Sequence, residues 1–374
     1  MRTWIGPPEH DRLPVTVLTG FLGSGKTTVL NHLVRQPELA RTVVVINEFG
    51  AIGLDHDLIE RSEAADDDGM VLLNSGCLCC TVRSDLVETL RMLAVRRERG
   101  EMPPFDRVII ETTGLADPAP ILQTLVTTPL LAERYRVDGL VTTVDAVNGS
   151  DTLDHHEEAV KQAAMADRLL ITKADLAEPR TVDALVARLH ALNPSTPRLI
   201  VRQGAVAPAE VLALGLYQPE RKSLDVQGWL RAEAFDHEER HGHPHHDHGH
   251  HHDHDHHHGN GNGHHHHDVN RHDDRIRAVC LTVDEPIDGD SLDRWLDTIM
   301  RLRGRDLLRI KGLLNVVGLP GPMVIHGVQH IFHPPIMLRR WPGEDRRSRI
   351  VFIVRDLSDT DLRASLSLLH PATA

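Results

Sequence analysis

Aromatic side chains are scarce in this sequence, 3% of 374 residues, and there are only four cysteines. Three of the four fall together in Cys77-Leu78-Cys79-Cys80, so a disulfide framework is excluded and a reducing cytoplasm is the expected setting. No run approaches the roughly 18 uninterrupted apolar residues of a membrane span, and no membrane partner is expected. Residues 1–13 carry Glu9 and Asp11 and lack an apolar stretch, so no secretory leader is expected either. Basic residues are the minority: 41 Lys and Arg face 54 Asp and Glu, a formal charge of −13. A general nucleic-acid binder presents a clustered basic face, and this balance argues against one. Acidity suits a handler of cations.

What is present is enough for two domains. Over residues 14–201, short β-branched runs alternate with amphipathic helical stretches. The spacing predicts strands at 15–18, 42–46, 70–73, 107–110, 139–144, 169–172 and 198–201. These runs are continuous rather than alternating, as in strands buried on both faces of a mainly parallel sheet. Between them lie helices such as residues 84–99, where Leu86, Val87, Leu90, Leu93 and Ala94 share a face and Ser84 is the N-cap candidate. The fold class is therefore α/β, a layered domain with a mainly parallel sheet.

Residues 237–272 break the pattern, holding 18 of the 28 histidines and almost nothing apolar. Such a tract cannot bury enough surface to offset chain entropy, and disorder without metal is the expectation. Its imidazoles are mostly neutral at pH 7, and Asp247, Asp253, Asp255 and Asp268 add oxygen ligands. A metal collector and a solvated linker are both compatible with that composition. Regular patterning then returns. Residues 275–283, 312–317, 323–327 and 350–354 read as strands, 291–303 and 359–369 as helices, giving a small α+β domain. The expected division is 1–215 for the nucleotide domain, 216–274 for the linker and 275–374 for the C-terminal domain.

Gly20-Phe21-Leu22-Gly23-Ser24-Gly25-Lys26-Thr27 matches G-x-x-x-x-G-K-[ST] between a predicted strand and a predicted helix, with Thr28 next along that helix. Glycines let backbone N–H groups curl around phosphates, Lys26 brings a point charge, and Thr27 offers a hydroxyl to Mg²⁺. An apolar strand ends in Glu111-Thr112-Thr113-Gly114, where Glu111 suits Mg²⁺ through water and the Gly114 backbone suits the γ-phosphate. Lys26, Thr27 and Glu111 are the catalytic candidates. Thr172-Lys173-Ala174-Asp175 resembles the N/T-K-x-D guanine-recognition element of GTPases, with Asp175 accepting from guanine N1–H and its exocyclic amine. That favours GTP over ATP.

Cys77, Cys79 and Cys80 are expected in a loop between the strand at 70–73 and the helix at 84–99. Thiolates bind soft and borderline metals, and three within four residues converge on one ion only in an irregular loop. Zinc would need a fourth ligand, and an incomplete shell suits delivery. A redox centre, or buried cysteines acting as small hydrophobes, are the other readings. His326, His330 and His333 read as ordinary hydrogen-bonding histidines, Asp55, His56 and Asp57 as an exposed loop, and residues 155–158 as a helix start.

The P-loop, Asn47-Glu48-Phe49-Gly50, the cysteine cluster, the run Glu111 to Pro118 and the segment Thr172 to Asp175 occur in the order of the CobW-type GTPases, which this chain resembles. Residues 308–312 and 328–338 are similar to the CobW C-terminal domain. The resemblance implies a metallochaperone related to the urease and hydrogenase nickel-insertion GTPases. It implies Cys77, Cys79 and Cys80 as metal ligands and residues 47–50 as the switch coupling metal to nucleotide. Many relatives carry Glu directly after Asn-Glu-Phe-Gly; here Ala51 stands there, leaving Glu48 as a substitute ligand. The expected function is GTP-driven delivery of Zn²⁺ to a client metalloprotein, with a homodimer as a compatible assembly. Co²⁺ or Ni²⁺ delivery, a non-catalytic zinc buffer and a redox-sensing GTPase are the rivals.

Overall fold

The computed structural model describes residues 12–47, 70–72, 78–82, 86–212, 214, 275–329, 331–332 and 335–369. The histidine tract, the segment 48–69, Ser84 and Cys77 lie outside them. Among the described residues the N-terminal part carries eight strands: β1 (Leu13–Gly20), β2 (Thr42–Asn47), β3 (Met70–Leu72), β4 (Leu78–Val82), β5 (Arg107–Thr112), β6 (Tyr135–Asp145), β7 (Arg168–Thr172) and β8 (Arg198–Ile200). They form one sheet in the order β3-β4-β2-β5-β1-β6-β7-β8. Every pairing is parallel except β3 with β4.

Continuous apolar runs are what such a sheet needs, because helices cover both of its faces. Val15, Val17, Val43, Val45, Val108 and Ile110 face one core, with Leu90 and Leu93 of α2 (Leu86–Arg99) and the helices α3 (Ala119–Thr127) to α7 (Pro179–Leu192) above them. Leu18, Val44, Ile46 and Ile109 face the other, against Val29, Leu30 and Leu33 of α1 (Lys26–Val34). Parallel pairing also places the ends of β5, β1, β6 and β7 side by side along one edge, where ligands of open α/β sheets bind.

The expectation of a cysteine loop is corrected. Cys79 and Cys80 belong to β4 rather than to an irregular loop, Cys79 level with Val44 and Val71, Cys80 with Val45 and Met70. Backbone pairing with β2 on one side and β3 on the other satisfies the segment as a strand.

After residue 275 the chain builds a second sheet from β9 (Ile276–Val283), β10 (Leu307–Leu314), β11 (Met323–Val328), β12 (Ile331–Phe332), β13 (Ile336–Met337) and β14 (Ser348–Arg355). Its order is β12-β11-β10-β14-β9, all antiparallel, with β13 also on β11. The strand expected at 312–317 therefore starts earlier, at Leu307, because β14 pairs along it from Val354 to Arg349. Helix Gly289–Arg303 and the shorter Asp359–Ser365 cover one face. Asp288 caps the first by accepting from the Ser291 N–H at 2.9 Å, and Trp295 packs edge-on to Phe352 with its indole N–H on Ser365.

The two sheets are joined by side chains. Leu308, Val328 and Ile353 bury themselves in the N-terminal core. Arg309, only 1% exposed, donates to the Met165 carbonyl at the end of α6 (Glu157–Met165) and to the Asp167 carboxylate, and contacts His326 Nε2 at 3.1 Å. The leading influence on Asp167 is burial, which works to raise its carboxyl. Arg309, His326 and Lys311 outweigh it and hold the group well below the usual carboxylate range. Breaking a buried pair strands a charge, so Arg309→Ala is expected to cost about 3–5 kcal/mol in urea unfolding at pH 7. A depressed folded-state value contributes stability above the unfolded value of about 3.9, lost as pH falls through the folded one. Asp167→Asn should flatten that acid limb.

Candidate nucleotide site and its neighbours

The loop after β1 ends on Gly25, whose left-handed conformation (φ 88) starts α1 without a side-chain cap. A helix N-terminus that opens on a glycine with no capping side chain is the usual basis of an anion site. Lys26 is buried and bends back over the loop, donating to the carbonyls of Gly20 at 2.9 Å and Phe21 at 3.1 Å. The Thr27 hydroxyl donates to Glu111 Oε1 at 2.9 Å. Glu111 is 6% exposed and reaches this place because β5 pairs with β1 in the register Leu18 to Glu111. A hydroxyl and a buried carboxylate in contact at a phosphate loop are oxygen donors suited to a hard cation such as Mg²⁺.

The recognition segment is tied to the same loop. Thr172 at the end of β7 donates its hydroxyl to Ser24 O at 2.6 Å and stands 3.3 Å from Val144 O. Ser24 Oγ meets Thr143 Oγ1 at 2.7 Å. Lys173, at φ 55, pairs with Asp145 Oδ2 at 2.8 Å, and Asp175 beyond it is exposed. Burial works to raise the Asp145 carboxyl. The Lys173 ammonium, the Val147 N–H and the Asn148 side chain prevail and hold it below the ordinary range. Thr28, also exposed, lies on the first turn of α1, where a Cβ at Gly204 would sit 2.7 Å from its carbonyl oxygen.

Gly114 closes the other side. A Cβ there would sit 2.6 Å from the backbone nitrogen of Leu22, so the loop after β5 rests directly on the P-loop. The Gly114 and Ala116 carbonyls accept from Gln162 Nε2, at 3.1 and 2.9 Å. A cavity of about 110 Å³ lies beside the P-loop, lined among others by Gly23, Ser24, Thr143, Asp145, Gln162 and Lys173.

The predicted residues Gly20, Gly23, Ser24, Gly25, Lys26, Thr27, Glu111, Gly114, Thr172 and Lys173 are thus brought together. Asp145, Thr143 and Gln162 were missed. Asp145 alone had a local signal, since like Glu111 it is a carboxylate ending an apolar strand.

The metal candidates are placed only in part. Cys79 and Cys80 lie on β4, next to β2, while Cys77 and Glu48 are outside the described residues. Among the described residues, no group of three or more His, Cys, Asp or Glu side chains could hold a metal ion. His326 is the buried partner of Arg309 and Asp167, in keeping with an ordinary hydrogen-bonding role, whereas His330 and His333 are outside the described set. Asn47 ends β2 level with Thr112 of β5 and Val82 of β4.

Residues 14–199 match the family model for the CobW/HypB/UreG nucleotide-binding domain, and residues 276–369 that for the cobalamin synthesis protein CobW C-terminal domain. The zinc chaperone YjiA of Escherichia coli is 30% identical to this chain over 358 residues, covering 96% of this chain and 99% of the relative. The chain belongs to the CobW family. The zinc chaperone CobW of Sinorhizobium, 29% identical, covers 96% of this chain and 98% of its own length. The zinc-regulated GTPase metalloprotein activator 1 of Schizosaccharomyces pombe, 33% identical over 221 residues, covers 57% of this chain and 52% of its own. The solved structure of Zn(II)-bound YjiA GTPase from E. coli superposes with a TM-score of 0.69 at 27% identity, covering 96% of this chain and 99% of that one. With this CobW architecture and an intact phosphate loop, the chain is a GTPase. No helix among the described residues is long and apolar enough to cross a membrane.

Thr172 links the recognition segment to the P-loop through one hydroxyl. Thr172→Val keeps the shape but leaves the buried Ser24 carbonyl short of its donor, a loss of about 1–3 kcal/mol. The expected outcome is weaker GDP binding, by about fivefold or more, in fluorescence titration of a labelled nucleotide.

Proposed function

We propose that this CobW-family GTPase holds Zn²⁺ on Cys77, Cys79 and Cys80 and passes it to a client metalloprotein under control of the bound nucleotide. The observation that carries this reading is the placement of β2 between β4 and β5. One strand separates the Cys79–Cys80 backbone from the strand ending in Glu111 and Thr112, and that strand leads directly into residues 48–50. The zinc chaperones YjiA and CobW, similar over nearly the whole chain, supply the choice of ion. Glu48 is the fourth-ligand candidate in a chain where Ala51 offers no carboxylate, and the histidine tract is the collector.

On the nucleotide side, Gly20, Gly23, Ser24 and Gly25 shape the phosphate cradle, and Lys26, Thr27 and Thr28 open the helix that faces it. Thr27 and Glu111 are the residues suited to hold Mg²⁺, which supplies charge neutralisation at the phosphate oxygens. Lys26 leaves its two carbonyl partners for the phosphates and stabilises charge as the γ-phosphoryl group is transferred to water. Thr172 and Lys173 hold the recognition loop while Asp175 accepts from guanine. The Gly114 N–H reports the γ-phosphate, and its loss on hydrolysis frees the end of β5 and, through Asn47, the segment leading to Glu48. The coupling is reciprocal: GTP raises zinc affinity by the factor by which zinc raises GTP affinity.

Competition titration of Zn²⁺ against a chromophoric chelator tests this on the full chain and on the Cys77→Ala, Cys79→Ala, Cys80→Ala triple variant, with Co²⁺ and Ni²⁺ as further arms. The tight site should be about tenfold or more tighter with a GTP analogue than with GDP, and absent from the triple variant. Equal zinc affinity in the two nucleotide states would overturn the coupling. Lys26→Ala should reduce GTP turnover by about two orders of magnitude or more, which a zinc buffer with a vestigial nucleotide fold would not register.

A further inference from the structure

Gln162 on α6 has no solvent exposure, yet it touches the nucleotide machinery from behind. Its Nε2 donates to the carbonyls of Gly114 and Ala116, and its own main-chain carbonyl accepts from Thr142 Oγ1 at 2.9 Å on β6. The side chain cannot be turned over, because Oε1 would then face two carbonyl oxygens. Among the described residues Oε1 is left as a buried oxygen with no partner, a cost that a purely structural core position would avoid by carrying an apolar residue. The residue also lines the cavity beside Gly23 and Ser24. At the other end of α6, the N-cap His156 stacks on Phe21 of the P-loop with ring centroids 4.4 Å apart. One helix therefore touches both loops that meet at Gly114 and Leu22.

We propose that Gln162 is a positioning residue for GTP hydrolysis: its amide nitrogen fixes the 114–116 loop so that the Gly114 N–H faces the place the γ-phosphate will take. This rests on the reading of the Gly114 N–H as a γ-phosphate donor. The residue acts through that backbone and not on the nucleotide itself. GDP has no γ-phosphate, so the signature is selective. Loosening the loop costs GTP binding and turnover and spares GDP binding, whereas general damage to the core costs both.

The test measures kcat, KM and the affinities for GDP and a non-hydrolysable GTP analogue. The variants are Gln162→Met, which keeps length without a donor, and Gln162→Glu, which keeps shape but sets a carboxylate oxygen against the two carbonyls. Both are expected to lower kcat about tenfold or more and analogue affinity about fivefold, with GDP affinity held within about twofold. Thr142→Val removes the other hydrogen bond to Gln162 and controls for loosening of α6; it should leave the analogue-to-GDP ratio at the wild-type value. Gly114→Ala, forced against the Leu22 backbone, should reproduce the selective loss. If Gly114→Ala is selective while the Gln162 variants lose both nucleotides alike or neither, or if Thr142→Val matches them, the role of Gln162 falls and that of Gly114 stands. If Gly114→Ala loses both nucleotides alike, the reading of Gly114 itself fails. Should Gln162→Met not fold, Gln162→Asn supplies the readout, since it keeps the amide but is too short to span both carbonyls.

Discussion

Parallel pairing of β1 between β5 and β6 is the constraint on which the rest of the molecule depends. Parallel strands all finish on the same edge, so four connections, after β5, β1, β6 and β7, open side by side. The register then decides which side chains meet. Leu18 level with Glu111 sets the carboxylate under Thr27, Gly20 level with Thr143 sets a hydroxyl under Ser24, and Asp145 level with Thr172 brings Lys173 to its counter-charge. A slip of one residue would turn each of these groups to the opposite face of the sheet. The same edge includes Asn47, and so β2 stands between the Cys79–Cys80 strand and the strands that carry the nucleotide loops.

Strand β7 shows how charge secures that arrangement at both ends. Asp167 stands one residue before it and is claimed by Arg309 from the second sheet; Lys173 stands one residue after it and is claimed by Asp145. Both carboxylates are taken out of water, which opposes ionisation, and both stay charged because a cation and several N–H donors are fixed around them. Buried pairs of this kind add little net stability over apolar substitutes but are strongly directional. Their effect here is to hold one short strand at a set height, against the second sheet at one end and against β6 at the other.

Much of the fold was legible in the sequence. The phosphate loop, the carboxylate ending β5 and the Thr172 segment are local signatures, and the strands carrying them are continuous apolar runs. What stayed hidden depends on distant partners. Gln162 is one polar residue on an Ala-rich helix until the 114–116 loop folds over it, and Arg309, which precedes the strand expected at 312–317, has no partner in its own neighbourhood until Asp167 arrives from 142 positions away. The cysteine pair was misplaced for a related reason. Spacing alone suggests a loop, whereas two neighbouring strands make the segment a strand. His326 was read as an ordinary hydrogen-bonding histidine, and its contact with Arg309 agrees with that.

The contact between Gly114 and Leu22 has a consequence for how this sequence can drift. Gly114 adopts no left-handed conformation; it is a glycine for want of room, and the nearest obstacles include the Leu22 nitrogen and Cα as well as its side chain. Trimming Leu22 therefore opens no space for a larger residue at 114, because main chain remains in the way. A lineage that loses this glycine has no compensating change open to it at position 22. The two loops can diverge in chemistry around the contact, but they must keep the same separation.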